Sequence, residues 1–496
     1  MIALTLAEIA DVVGGTVRDA DGGERVTGGV EFDSRRLGPG GLFVALPGEH
    51  VDGHDYAVAA VAAGAVGVLA ARPVGVPAVV VGPADPGDAL SCAALAADTD
   101  GAGAAVLAAL ARLARAVTDR LRPGGLRVVG ITGSSGKTST KDVVAALLAP
   151  LGPTVAPPGS FNNELGHPWT ALRVDETTRH LVLELSARGP GHIAALCRVA
   201  PPSIGVVLNA GSAHLGEFGS RQAVASAKSE LVESLPAAGL AVLNGDDPAV
   251  TAMADRTTAR VVRFGRTPDA DVRAADIALD AQGRPAFRLV CPTGEAAVTL
   301  QLHGEHQVSN ALAAAAVALE LGATPAQVAA VLAGYRPSSR WRMEVTDRPD
   351  GVTVVNDAYN ANPESVHAAL QTLVAMSQTG RRSWAVLGPI AELGDAADGA
   401  HEEVGRLAVA LGIDRLVVVG EAARPAQRAA DRTEAGGQPP VLVDDADEAL
   451  ALLRAELTPG DIVLVKASRA AGLERIAAGL LGEGVTPDTA AERSGG

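Results

Sequence analysis

Apolar residues along this chain fall into two alternating patterns. Short runs of branched apolar residues, bounded by glycine or polar residues, are separated by longer Ala- and Leu-rich stretches with helical spacing. Near-continuous apolar runs fit strands buried on both faces, and their alternation with helices predicts parallel α/β sheets. From Leu126 onward the predicted strands include Val128-Val129, Leu181–Leu185, Ile204–Leu208 and Leu240–Leu243, with helices over Asp142–Leu148 and Ala311–Leu321. The pattern restarts after Gly334-Tyr335-Arg336-Pro337, where Val352–Val355, Trp384–Leu387, Leu416–Val419 and Ile462–Val465 read as strands of a second α/β unit. Upstream, short strands and turns precede a helical stretch from Gly103 to Arg122, which stops at the linker Pro123-Gly124-Gly125. No internal repeat is visible. Residues 483–496 are polar and Gly-rich and read as a frayed tail.

Composition adds scale and exclusions. A length of 496 residues corresponds to about three domains. Hydrophobic residues make up 48%, enough for several cores, while aromatics are only 2%, so those cores must be packed with Ala, Val and Leu. The formal net charge is −16 and no basic run occurs, which argues against a nucleic-acid partner. Cys92, Cys197 and Cys291 are isolated, without metal-ligand spacing, and read as reduced thiols. The N-terminus lacks the basic start of a signal peptide, and the apolar stretch Ala57–Ala71 is too short to cross a bilayer. A cytoplasmic protein without membrane insertion is the expectation.

Candidate chemistry begins at Gly130-Ile131-Thr132-Gly133-Ser134-Ser135-Gly136-Lys137-Thr138-Ser139. A strand ending in a glycine-rich turn, then Lys-Thr and a helix, is suited to cradle phosphates. Gly133 and Gly136 let backbone N–H groups approach, the helix N-terminus adds its dipole, Lys137 reaches the terminal phosphates and the Thr138 hydroxyl suits Mg²⁺. Ligands of α/β sheets sit at the carboxyl ends of strands. Glu184, Asn209, Asp357 and Lys466 all fall at such ends, which points to two α/β units facing each other across a nucleotide.

Four further polar segments complete the set: Phe161-Asn162-Asn163-Glu164, Asn209 to Leu215 with Ala227-Lys228-Ser229-Glu230, Gly304 to Ala314, and Asn356 to Pro363. With these the chain resembles the Mur ligase family over nearly its whole length. Asp33-Ser34-Arg35, Gly41 to Leu46 and Asp52-Gly53-His54 resemble a UDP-sugar-binding domain. Asn162-Asn163-Glu164 and Tyr359-Asn360-Ala361-Asn362-Pro363 favour the branch that adds D-alanyl-D-alanine to UDP-N-acetylmuramoyl-tripeptide.

The resemblance implies an α/β protein of three domains: a UDP-substrate domain with a linker helix (1–122), a central P-loop ATPase-like parallel-sheet domain (123–336) and a C-terminal Rossmann-like domain with a flexible tail (337–496). It implies ATP held by Gly133, Ser134, Ser135, Gly136, Lys137, Thr138 and Ser139, with Asn310 at the adenine and Arg340 and Asp357 reaching the nucleotide. Mg²⁺ would be held by Thr138 and Glu184, with His214 and Lys228 at a second metal. Lys137, Glu184, His214 and Lys228 would form the catalytic set. Asp33, Ser34, Arg35, Asn162, Asn163, Glu164, Tyr359, Asn360, Asn362, Lys466 and Arg469 would contact the substrates. The activity implied is ligation through an acyl phosphate, by a monomer.

Two points stay open on the residues alone. A free Lys228 ammonium would be repelled by Mg²⁺; either a carbamate reverses its charge, as at the matching lysine of related ligases, or the ammonium neutralises phosphate directly. The chain also departs from its relatives at Gly388-Pro389-Ile390, where they carry Gly-Asp-Met, at Lys466-Ala467, where they carry Lys-Gly, and at Arg188, where some carry Asn. The ligase that adds the third stem residue and folylpolyglutamate synthetase are the neighbouring enzymatic readings, and a nucleotide-binding regulatory protein is the non-enzymatic one.

Overall fold

The computed structural model describes residues 1–48, 51–82, 98, 100–211, 215–378, 380–433 and 438–483. His214, Cys92, most of Asp85–Gly103 and the C-terminal tail therefore lie outside the described residues.

Three α/β units follow one another. In the first, the strands Thr16–Arg18, Ala78–Val80, Ala65–Ala70, Gly41–Val44 and Val30–Glu31 form a five-stranded sheet in that order. The apolar stretch that begins at Ala57 is the helix Ala57–Ala62 followed by the buried strand Ala65–Ala70. A 20-residue helix, Ala102–Leu121, carries the chain onward, its Ala, Val and Leu face buried along its length.

The middle sheet has nine strands. Its core strand Arg127–Thr132 is flanked on one side by His180–Glu184 and on the other by Ile204–Val207, all parallel. The strand order reverses at Arg127–Thr132, so a crevice opens beyond its carboxyl end, where the glycine-rich turn follows. Leu240–Asn244, Arg260–Gly265 and Val272–Leu279 extend the parallel part. Pro285–Cys291 and Gly294–Thr299 then add antiparallel hairpins. Along Pro285–Cys291 buried and half-buried positions alternate strictly, the mark of a strand with one face in the core. The sheet is thus parallel around the crevice and antiparallel at one edge.

Small side chains set the spacing above this sheet. The helix His306–Glu320 buries Ala311 and Ala313 to Ala316 together with Leu312 and packs on the P-loop helix Lys137–Leu148. Alanines let the two helices approach closely without large aromatics.

The third unit is a six-stranded sheet in the order Glu344–Asp347, Thr353–Asn356, Ile462–Lys466, Ser383–Leu387, Arg415–Val419 and Val441–Val443. Only the first pairing is antiparallel. Trp384 is fully buried there, and its indole N–H donates to Asp461 Oδ2 at 3.1 Å. The carboxyl ends of Thr353–Asn356 and Ile462–Lys466 face the crevice of the middle sheet.

Candidate active site

One cavity of about 1050 Å³ lies between the middle and C-terminal units. Ser134, Ser135, Gly136, Lys137, Thr138, Ser139, Asn162, Asn163, Glu164, Glu184 and Asn310 line it from the middle unit. Asp357, Tyr359, Asn360, Asn362, Lys466 and Arg469 line it from the C-terminal unit.

The P-loop wall is built locally. Gly136 caps the helix Lys137–Leu148 in the left-handed region (φ 81°), and a Cβ there would stand 2.5 Å from Asn310 Oδ1. Only glycine serves both the turn and the close approach. Asn209 Oδ1 accepts from the N–H groups of Ser134 and Ser135 at 2.8 and 2.9 Å and so fixes the loop. Lys137 Nζ donates to Gly133 O at 2.8 Å. Burial holds the Lys137 ammonium below its usual range, with Glu184 pulling it back up and Arg342 adding to the lowering.

Glu184, the last residue of its strand, is 1% exposed and accepts three hydrogen bonds. Thr138 Oγ1 donates at 2.9 Å, Ser160 Oγ at 3.0 Å and Asn162 Nδ2 at 2.8 Å. Hard oxygen atoms from Thr138, Ser160 and Glu184 thus converge beside the phosphate loop, a donor set that fits Mg²⁺ completed by substrate phosphates. Among the described residues no group of three or more His, Cys, Asp or Glu side chains is placed to hold a metal by itself.

Lys228 lies on the helix Arg221–Glu233, buried at 6% exposure and outside the cavity lining. Burial, with the charge of Lys137, pushes its ammonium down to about 7. The same helix carries Glu230, whose carboxylate accepts from Gly191 and Ala194 N–H at 2.6 and 3.0 Å and anchors the start of an earlier helix, His192–Val199. His192 lines the cavity and faces Glu164 at 3.5 Å; the sequence pattern did not single it out.

On the opposite wall, Lys466 Nζ meets Asp357 Oδ2 at 2.6 Å and Asn360 O at 2.9 Å. His306 is pushed down to about 4 by burial, with the Lys466 charge adding to the lowering and Asp357 opposing it, and is neutral at pH 7. Asn362 caps the helix Pro363–Ser377 and donates through Nδ2 to Ser134 O at 3.1 Å, joining the two walls.

Arg340 is exposed and not among the lining residues, whereas Arg342 is. Its guanidinium lies 4.0 Å over the Tyr359 ring and donates through Nη2 to Thr138 Oγ1 at 3.0 Å. Asp33, Ser34 and Arg35 lie away from the cavity in the first unit, where Asp33 caps the turn Ser34–Arg36 and pairs with Arg35 at 2.8 Å.

The two divergent segments, Gly388-Pro389-Ile390 and Lys466-Ala467, are neighbours in the structure. Ala467 is fully buried, and its Cβ occupies space that a Cβ on Gly388 would contest at 2.8 Å. Ser468 N donates to Pro389 O at 2.9 Å and Ser468 Oγ accepts from Ala391 N at 2.8 Å, so the Pro389 segment is held without the missing carboxylate.

A glycine-rich loop with its lysine faces a second α/β unit across one cleft, an arrangement that fits the nucleotide site expected from the resemblance to Mur ligases. Family models agree: the Mur ligase family catalytic domain matches residues 27–116, the Mur ligase middle domain 131–318 and the Mur ligase glutamate ligase domain 341–469. The chain belongs to the Mur ligase family. It is 57% identical to the UDP-N-acetylmuramoyl-tripeptide--D-alanyl-D-alanine ligase of Mycobacterium tuberculosis (strain ATCC 25618 / H37Rv), over 97% of this chain and 98% of the relative. Identity to the enzyme of the same name from Escherichia coli (strain K12) is 35%, over 96% and 98%. Among solved structures it is similar to MurF from Acinetobacter baumannii, with a TM-score of 0.82, 29% identity and coverage of 97% and 99%. It is also similar to MurF ligase from Thermotoga maritima in complex with ADP, with a TM-score of 0.74, 29% identity and coverage of 92% and 98%.

Proposed function

We propose that the protein joins D-alanyl-D-alanine to UDP-N-acetylmuramoyl-tripeptide at the expense of ATP, giving the UDP-linked pentapeptide, ADP and phosphate. The observation that carries this reading is the single cleft in which Lys137, Thr138 and Glu184 face Asn360, Lys466 and Arg469. The identity to ligases of that name along nearly the full chain supplies the substrates.

Amide formation from a carboxylate and an amine is uphill in water, so the carboxyl must first be activated. A carboxylate oxygen of the tripeptide attacks the γ-phosphorus of ATP and ADP leaves, forming an acyl phosphate. The dipeptide nitrogen, having lost a proton, then attacks the acyl carbon, and phosphate departs with the former carboxylate oxygen. Both reactants of the first step are anions, so positive charge must wait where they meet. Lys137 and Arg342 reach that place from opposite domains. When bound, Mg²⁺ would lower the charge on the phosphates, with Thr138 and Glu184 as its protein ligands. Asn310 and the neutral His306 stand on the lining where the base of the nucleotide would lie. Asn362, bonded to Ser134 across the cleft, keeps the walls together so that water is excluded while the acyl phosphate exists.

Lys228 would sit beside a second Mg²⁺ with His214. Its ammonium, pushed down to about 7, is largely a free amine just above neutrality. A free amine can add CO₂, and the resulting carbamate would be an anionic oxygen ligand; this favours the carbamate over the bare cation. Asp33, Ser34 and Arg35 would meet the UDP moiety, and Asn162, Asn163 and Glu164 the peptide. The domains would run 1–122, 123–336 and 337–496, in a cytoplasmic monomer. Among the described residues no helix is long and apolar enough to cross a membrane.

The test is ADP release by the purified protein with Mg-ATP and UDP-N-acetylmuramoyl-tripeptide, comparing D-alanyl-D-alanine with single amino acids. Turnover only with the dipeptide, and a product heavier by one dipeptide less water, is expected. Turnover with a single amino acid on a shorter UDP-peptide would contradict the assignment.

A further inference from the structure

The segment from Pro337 to Met343 is the strap that enters the C-terminal unit, and it carries Arg342. Its first fixed point is on the P-loop helix: Ser339 Oγ donates to Asp142 Oδ2 at 2.6 Å. Asp142 is one helical turn beyond Thr138, on the same face. The buried Asp142 carboxylate also pairs with Lys141, a side chain with no exposure whose Nζ donates to Pro157 O at 2.6 Å. The second fixed point lies in the C-terminal unit, where Met343 N donates to Asp357 Oδ1 at 3.0 Å.

Between these points the backbone is unusual. Trp341 and Met343, on either side of Arg342, have φ of 58° and 50°, a region that bulky side chains rarely adopt. Such conformations persist where surrounding contacts over-determine them. Here the contacts are on the page: Trp341 lies under the Arg469 guanidinium at 4.4 Å, its carbonyl accepts from Tyr359 N at 3.3 Å, and its N–H donates to Glu344 Oε2 at 3.2 Å. The double reversal turns Arg342, and not Arg340, back onto Tyr359 and Thr138.

We infer that Ser339 and Asp142 are positioning residues that hold the strap against the P-loop helix and so set the Arg342 guanidinium beside Thr138. A short hydrogen bond to a charged acceptor gives geometric control. A long arginine on an unanchored strap would sample other rotamers and meet the phosphates only part of the time. The inference rests on the reading of Arg342 as a cation of the phosphate site. Ser339 is the residue to vary, because altering Asp142 would strand the buried Lys141.

Ser339→Ala should lower kcat for ADP release about tenfold, with KM for both the UDP-tripeptide and the dipeptide changed by less than about twofold. Ser339→Thr, which keeps the hydroxyl, should recover most of the loss. In an Arg342→Ala background, Ser339→Ala should cost nothing further, since the strap then has no guanidinium to place. Unchanged kcat in Ser339→Ala, alongside a damaged Arg342→Ala enzyme, would overturn the strap inference alone. Independent, multiplying losses in the double variant would overturn it as well. An undamaged Arg342→Ala enzyme would instead overturn the role of Arg342.

Discussion

The two walls of the cleft hold their lysines in opposite ways. On the P-loop wall Lys137 rests on the neutral carbonyl of Gly133, while Glu184 accepts from three uncharged donors. On the C-terminal wall Lys466 is locked to Asp357 and to Asn360 O. An arriving phosphate has only to displace a carbonyl from Lys137, whereas Lys466 would meet a ligand with its charge already shared with Asp357. The first ammonium is kept available for chemistry; the second holds the ends of the strands Thr353–Asn356 and Ile462–Lys466 in place for whatever binds above them.

That contrast can be broken by substitution. The largest effect is expected for Lys137→Ala: ADP release should fall on the order of a thousandfold, since one preorganised charge at the reacting phosphate is removed. Calorimetric binding of the UDP-substrate and the unfolding midpoint should stay near those of the unaltered protein. Lost folding or lost UDP-substrate binding would place Lys137 with Lys466 as an architectural residue. Next in size, Arg342→Ala should lower kcat about a hundredfold in the same assay.

Lys466→Met should do the reverse. It leaves Asp357 without its partner and should cost about 3 kcal/mol in the urea unfolding transition of the C-terminal unit. Asp357→Asn added to Lys466→Met should regain part of that loss. A Lys466→Met protein of undiminished stability would remove the distinction between the walls.

The smallest effect concerns Lys228. Its folded-state value of about 7 lies below the 10.5 of a free lysine, so the unfolded chain binds more protons between those limits. Stability should therefore rise with pH across that window, and the rise should be shallower in Lys228→Met. In ¹³C-bicarbonate, a carbamate resonance should appear above about pH 7 and be absent in Lys228→Met. No resonance at any pH would leave Lys228 as a plain cation.

The sequence makes the P-loop wall legible because its requirements are local. A glycine turn, a Lys-Thr pair and a β-branched strand are contiguous, and Glu184 ends a plainly apolar run. The parallel strands His180–Glu184, Ile204–Val207, Leu240–Asn244, Thr353–Asn356, Ser383–Leu387, Arg415–Val419 and Ile462–Lys466 are readable for the same reason, to within a residue at each end. The parallel strands Arg260–Gly265, Val272–Leu279 and Val441–Val443 are not singled out. The antiparallel edge, Pro285–Cys291 with Gly294–Thr299, was not singled out, because its alternating pattern contains Arg288 and short runs of small residues. Arg340 and Arg342 are alike in type; the left-handed turns at Trp341 and Met343 accompany Arg342, and not Arg340, on the cavity lining, and neither residue signals such a turn. Asp142 and Ser339 are 197 positions apart, so only the fold brings them together. The Pro389 and Ala467 departures look unrelated along the chain, but the structure sets them side by side: Ser468 N donates to Pro389 O, and the Ala467 Cβ lies against Gly388.

The most direct test of carboxylate activation on the P-loop wall follows an oxygen atom. UDP-N-acetylmuramoyl-tripeptide labelled with ¹⁸O in its terminal carboxylate should pass one labelled oxygen to the phosphate released during dipeptide ligation. Phosphate free of label, with pentapeptide still formed, would contradict an acyl phosphate and with it the role given to Lys137, Arg342 and the cleft they share.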